Sequence, residues 1–241
     1  MTQSHVGSAV LRTVDDLCGP AGQLEALLNP GKPDAPYAAL VCHPHPLGGG
    51  TLHNKVVYHA MKALQSLGLP VLRFNFRGTG LSEGIHDNGR GEQDEVRAAL
   101  DWLDQEFHRP LLLAGFSFGA WVGLQACCGD PRVAGLVALG LPVHAEGRDY
   151  QYDFLRVCPQ PKLFISGDRD QYGPVAKVEA AVRLAAEPKE LVWIADADHF
   201  FAPPTSDPSA PSPQHPGSKL EEMRFALRAW AQRQFPALPS Q

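Results

Sequence analysis

The chain has 241 residues, 44% of them hydrophobic and 20% charged, the size and make-up of one compact soluble domain over 1–241 rather than two domains or a disordered chain. A formal net charge of −5 leaves no basic excess to neutralise phosphates, which excludes nucleic acid as an expected partner. No window approaches the roughly 18 apolar residues of a membrane span, and the opening MTQSHVGSAVLRTVDD lacks the regions of a signal peptide; a cytoplasmic protein with no membrane partner is expected.

Residues 8–14 and 23–28 read as two strands of an antiparallel hairpin, separated by the turn residues CGPAG. After the linker NPGKPDAP, the apolar run 37–42 predicts a buried strand that ends in the loop HPHPLGGG. Val57, Met61, Leu64 and Leu67 recur at helical spacing and Gly68 stops them. A strand is expected at 71–76, then a helix whose stripe is Val96, Ala99, Leu100, Leu103 and Phe107, with Glu92, Asp94 and Glu95 suited to its N-terminus. Strand 111–115, helix 118–128, strands 133–139 and 162–166, helix 174–186, strand 190–194 and helix 218–234 complete the order. Continuous apolar strands alternating with amphipathic helices predict an α/β fold: a mostly parallel central sheet with helices on both faces. In such sheets functional residues belong beyond the carboxyl ends of the strands.

Five cysteines, an odd number in a chain of this size, point to reduced thiols, and the adjacent Cys127 and Cys128 have no metal-ligand spacing. The histidines of His43-Pro44-His45-Pro46 would point to opposite sides of an extended chain, and no cysteine or carboxylate supports them, so neither metal nor cofactor is expected.

The pattern G-x-S-x-G occurs twice, around Ser117 and around Ser82. A serine nucleophile needs a strained turn between a strand and a helix with small neighbours on either side. Ser117 meets this condition: LLLAG runs into it and AWVGLQACC comes after it. Ser82 lies several residues beyond its strand, in loop-like sequence, and reads as a turn former. Placement at a helix start aims the Phe118 backbone N–H and the positive end of the helix at a carbonyl under attack.

A nucleophilic serine requires a base and an acid, which in this arrangement follow later strands in the order Ser, Asp, His. Asp168-Arg169-Asp170 follows the strand KLFISG, and His199 follows LVWIAD. Asp170 is preferred as the acid because Asp168, directly after Gly167, is placed to satisfy turn backbone groups. His199 is then the base, since His215 sits in a proline-rich loop. The HPHP loop would supply the second oxyanion donor. Prolines have no N–H, so the choice falls on Leu47, with His45 as the alternative.

Taken together, HPHPLGGG, RFNFRGTGLSEG, GFSFG, GDRD and DADHFF resemble the small serine α/β hydrolases related to dienelactone hydrolase, over most of residues 20–201. The resemblance implies the α/β-hydrolase fold, the triad Ser117, Asp170 and His199, and cofactor-free hydrolysis of carboxylic esters. Dienelactone hydrolases proper carry cysteine where Ser117 stands, which shifts the expected substrate from lactones to small esters generally. Arg77, Gly78 and Gly80 match a loop common in this fold with a structural role. Thioesterase or peptidase activity would use the same triad, and a non-catalytic binding domain is the competing class.

The interval Leu141 to Gln160 is too short for a large lid, so a minimal cap is expected. Tyr150, Tyr152, Phe154, Phe116 and Phe200 are the candidate aromatic pocket for a small-molecule ester, in a monomer or homodimer. Residues 202–218, APPTSDPSAPSPQHPGS, are rich in proline and serine, and their anchor beside His199 marks them as a candidate flap over the site.

Overall fold

The computed structural model describes residues 10–145, 147–203, 218–235 and 237–238. The chain opens with β1 (Arg12–Val14), a small ribbon of β2 (Cys18–Gly19) and β3 (Gly22–Gln23), and β4 (Ala26–Asn29). It continues through β5 (Ala38–Cys42), α1 (Lys55–Ser66), β6 (Val71–Phe74), α2 (Arg90–Phe107), β7 (Leu111–Phe116), α3 (Phe118–Cys127) and β8 (Val133–Leu139). A short ribbon of β9 (His144–Ala145) and β10 (Arg148–Asp149) comes next, then β11 (Lys162–Gly167), α4 (Val175–Leu184), β12 (Lys189–Ile194) and α5 (Lys219–Gln234).

Eight strands form one sheet in the order β1-β4-β6-β5-β7-β8-β11-β12. The six strands from β6 to β12 are parallel, and β4 and β1 join antiparallel at one edge. The predicted hairpin therefore exists as the β1–β4 pair, with the β2–β3 ribbon in place of a simple turn; two-residue strands carry too little periodicity to be read from sequence. Residues 8 and 9 of the first predicted strand lie outside the described residues.

Alternation along each strand sends side chains to two cores. Leu111 and Leu113 of β7 pack with α2, α3 and α4, while Leu112, Ala114 and Phe116 pack with α1 and α5. Because both faces are covered, inner strands such as β7 and β8 are apolar throughout, whereas the edge strand β12 opens with Lys189 and Glu190 and is half-exposed. Helix ends follow local chemistry: the Asn54 side chain accepts the Val56 N–H at 2.9 Å to start α1, and Ser218 Oγ accepts the Glu221 N–H at 3.3 Å to start α5. In α2 the helix begins at Arg90, six residues before its apolar stripe. Glu92 accepts the Gly89 and Asp87 N–H groups, both at 2.8 Å; it and Glu95 are both buried, so of the three acids only Asp94 stays at the surface.

The interval 141–160 holds the β9–β10 ribbon and a 3-10 helix at Asp153–Val157, a small cap. All five cysteines are free, and Cys127 packs in the core of α3. No helix among the described residues is long and apolar enough to cross a membrane. Of the candidate flap at 202–218, residues 204–217 lie outside the described residues.

Candidate active site

Four loops meet at the carboxyl ends of the parallel strands: the HPHP loop after β5, Ser117 after β7, Asp170 after β11 and His199 after β12. Ser117 has φ 54° and ψ −119°, left-handed backbone for a residue with a side chain, and it links β7 directly to α3. The turn closes because its neighbours are glycine: a Cβ on Gly115 would strike the Gly119 carbonyl, and one on Gly119 would strike the carbonyl of His43. The Ser117 N–H donates to the Leu139 carbonyl at 2.9 Å, and its own carbonyl accepts from Ala120 and Trp121. Intrahelical bonding thus begins beyond Phe118, whose N–H belongs to the first-turn donors with no intrahelical partner.

His199 Nδ1 lies 2.7 Å from Asp170 Oδ2, and both residues are buried. The second carboxylate oxygen, Oδ1, accepts the Tyr172 N–H at 2.8 Å and the Gly173 N–H at 3.1 Å. With its carboxylate so fixed, Asp170 holds the His199 proton on Nδ1 and leaves Nε2 as the basic nitrogen. The reason for preferring Asp170 over Asp168 is the reverse of the one read from sequence. Asp170 satisfies the turn N–H groups, while Asp168 faces Arg169 at 3.8 Å near the surface.

Ser117 and His199 line one cavity of about 170 Å³, together with His45, the glycines 48–50, Asn54, Ala145, Tyr150, Tyr172 and Phe200. Of the five aromatic residues expected there, Tyr150 and Phe200 reach it and the other three do not. Phe116, at the end of β7, points into the core on the α1 and α5 side and supports the His199 ring from behind at 4.9 Å. Tyr152 is buried with its hydroxyl donating to the Pro142 carbonyl at 2.6 Å, and Phe154 packs against the core in the 3-10 helix. Tyr172 and Asn54 line the cavity and carry no motif; the position of Tyr172 two residues after Asp170 is the signal the sequence offers.

The HPHP loop divides its two histidines between different tasks. His43 is buried: its Nε2 accepts the Phe76 N–H at 2.9 Å and its Nδ1 faces the Pro44 carbonyl at 2.7 Å, so the proton sits on Nδ1. Burial pushes its pKa down to about 4, in keeping with a neutral ring that clamps two loops. His45 packs its ring on Phe118 at 4.8 Å and on His86 at 4.7 Å, and its Nδ1 accepts the Leu47 N–H at 3.2 Å. Leu47 is 77% exposed and does not line the cavity, while the N–H groups of Gly48, Gly49 and Gly50 donate within the loop. The short 3-10 turn at Pro46–Gly48 withdraws Leu47, a conformation that the run of glycines concealed.

Behind this loop, Arg77 pairs with Glu95 at 2.6 Å and His86 Nδ1 stands 2.7 Å from Glu92. Burial outweighs the Arg77 bonds and pushes the Glu95 carboxyl up to about 7. Ser82 Oγ donates to the Asn75 carbonyl at 2.6 Å and accepts the Glu25 N–H at 2.9 Å, fastening the neighbouring turn. Among the described residues, no group of three or more histidine, cysteine or acidic side chains is placed to hold a metal ion.

A sheet of this order, with a left-handed serine at the strand-to-helix turn and a buried His–Asp pair beside it, defines a class with known relatives. Residues 38–232 match the family described as an alpha/beta hydrolase domain, and the chain belongs to that family. It is 36% identical to an alpha-beta serine hydrolase homologue from Coxiella burnetii, with a TM-score of 0.75 over 94% of this chain and 99% of the other. An a/b serine hydrolase without lid from Xanthomonas campestris is 33% identical, with a TM-score of 0.75 over 98% and 97% of the two chains. An uncharacterized protein of Rickettsia prowazekii is 40% identical over 191 residues, 76% of this chain and 79% of that one. The protein is a hydrolase of the α/β serine hydrolase superfamily.

Proposed function

We propose that the protein hydrolyses small carboxylic esters through an acyl-enzyme on Ser117, with His199 as general base and Asp170 as its orienting partner. The observation that carries this reading is the strained Ser117 backbone opening onto a cavity that it shares with His199, whose Nδ1 is bound by a fixed carboxylate. Ser117 Oγ attacks the carbonyl carbon while His199 Nε2 takes its proton and the carbonyl electron pair moves onto oxygen. The Phe118 N–H receives that oxyanion at the start of α3. For the second donor we assign the His45 N–H, because Leu47 is turned away and bonded to the His45 ring.

Collapse of the intermediate breaks the ester C–O bond, and His199 Nε2 returns the proton to the departing alkoxide. Water, deprotonated by the same nitrogen, then attacks the acyl carbon and releases the acid and free Ser117. The cavity of about 170 Å³ is below the roughly 300–1,000 Å³ usual for small-molecule sites, which favours short acyl groups. Serine in place of the cysteine of dienelactone hydrolases favours general esters over lactones, within the lineage that the motifs resemble.

The test is intact mass after treatment with a fluorophosphonate. One adduct is expected on the native chain and on Ser82→Ala, and none on Ser117→Ala. An adduct that persists in Ser117→Ala refutes the assignment of the nucleophile.

A further inference from the structure

Beside the cavity at Ser117 lies a second, larger space that the chemistry above does not use. A groove of about 530 Å³ adjoins it, and Asn54 and Phe200 line both. Its apolar walls are Val56 from the first turn of α1, Phe201 and Ala202 from the His199 loop, and Leu220 from the first turn of α5. The catalytic cavity alone is smaller than a usual small-molecule site, whereas cavity and groove together fall within that range.

Proton bookkeeping decides which half of an ester the groove takes. His199 Nε2 must hand its proton to the leaving oxygen, so the leaving group lies on the histidine side of the scissile bond. Phe200 is the next residue in the chain, its ring 5.3 Å from the His199 ring, and it forms the wall shared with the groove. The acyl half is left with the part of the cavity lined by Ala145 and Tyr150, neither of which borders the groove.

We infer that this groove is the leaving-group subsite and that the preferred substrates are esters of a short acid with an apolar alcohol several carbons long. The inference rests on the serine-esterase reading of the same site. Burying an alcohol in an apolar groove strengthens its binding by about fourfold for each methylene.

The experiment compares kcat/KM for ethyl, butyl and hexyl acetate, whose alcohols are nearly equal as leaving groups, with ethyl butyrate and ethyl hexanoate. The expected result is a rise of about fourfold per methylene along the alcohol series and none along the acid series. Leu220→Asn should cut the hexyl-to-ethyl ratio by about tenfold. Phe225→Asn, on α5 at a position 71% exposed and not lining the groove, should leave that ratio unchanged. If ethyl acetate is cleaved in a Ser117-dependent way but the alcohol series is flat, the groove assignment is wrong and the esterase reading stands. If Leu220→Asn acts on the acid series instead, the groove holds the acyl chain and the assignment is overturned. If no ester is cleaved and no fluorophosphonate adduct forms on Ser117, the esterase reading fails and takes the groove assignment with it.

Discussion

Replacing Asp170 with asparagine exchanges one carboxylate oxygen for an NH2 group, and the surrounding hydrogen bonds dictate which oxygen is exchanged. Oδ1 of Asp170 accepts two backbone N–H groups, from Tyr172 and Gly173, which only a carbonyl oxygen can replace. The amide oxygen of the new side chain must therefore take that side, and its NH2 group must face His199 Nδ1 across the present 2.7 Å contact. Nδ1 then has to accept, the ring proton moves to Nε2, and the nitrogen proposed to deprotonate Ser117 can no longer take a proton. Forcing this tautomer in a serine triad costs about 10⁴-fold in kcat, equivalent to ~5 kcal/mol of transition-state stabilisation. Stability should change little, because both backbone donors keep their acceptor. The assay is kcat for p-nitrophenyl acetate beside a thermal melt, with Asp168→Asn as control, expected within about twofold of the parent because Asp168 stands near the surface and binds neither histidine nor turn. An Asp170→Asn enzyme retaining more than a tenth of the parent kcat refutes the tautomer argument.

His45 has φ −52° and ψ 123°, a conformation proline accepts, so His45→Pro removes the N–H with little distortion; a loss of about 10²- to 10³-fold in kcat is expected, against a small effect of His45→Ala, and equal losses would return the oxyanion role to Leu47. Ser82→Ala strands the Glu25 N–H and the Asn75 carbonyl and should lower unfolding free energy in urea by about 1–3 kcal/mol while keeping the fluorophosphonate adduct; an unchanged midpoint would show that the turn does not depend on that hydroxyl. Two buried groups set opposing pH dependences. His43, pushed from 6.5 to about 4, lends stability that is complete above pH 6.5 and lost as pH falls to 4, whereas Glu95, pushed from 4.5 to about 7, lends stability that is complete below pH 4.5 and lost as pH rises through 7. Between pH 4.5 and 6.5 the two slopes oppose, each worth up to ~3 kcal/mol over its own window, so Glu95→Gln should show a steeper loss of stability on acidification than the parent; parallel curves would contradict the sign assigned to Glu95.

The parallel sheet was legible because burial on both faces writes itself into the strands as uninterrupted apolar runs such as LLLAG, and the helices as stripes such as Val96 to Leu103. The candidate chemistry was legible because Ser117, Asp170 and His199 each come within a short loop of the end of a strand. What sequence concealed was side-chain direction at the ends of the regular elements and in the loops. Phe116, Tyr152 and Phe154 are aromatic and near the site in chain order, yet the strand pleat turns Phe116 into the core beneath α1 and α5 and the hydroxyl of Tyr152 is drawn inward to the Pro142 carbonyl. Leu47 and His45 lie two residues apart, and only the 3-10 turn at Pro46–Gly48 decides which of them faces the cavity. Asn54 and Leu220 approach the site from helix starts distant in sequence, which no local pattern reports.

The proposed base hangs from the margin of the molecule. His199 follows β12, the last strand of the sheet, paired only with β11 among the described residues and half-exposed along most of its length, whereas Ser117 follows β7 three strands inward, about 14 Å across the sheet. Outer strands detach at lower cost than inner ones. Gentle warming that loosens this margin would carry the imidazole away while the serine turn and the histidine-clamped loop beside it stay folded. Turnover is then expected to fade below the temperature of global unfolding and to return on cooling, which initial rates followed beside a thermal melt would show.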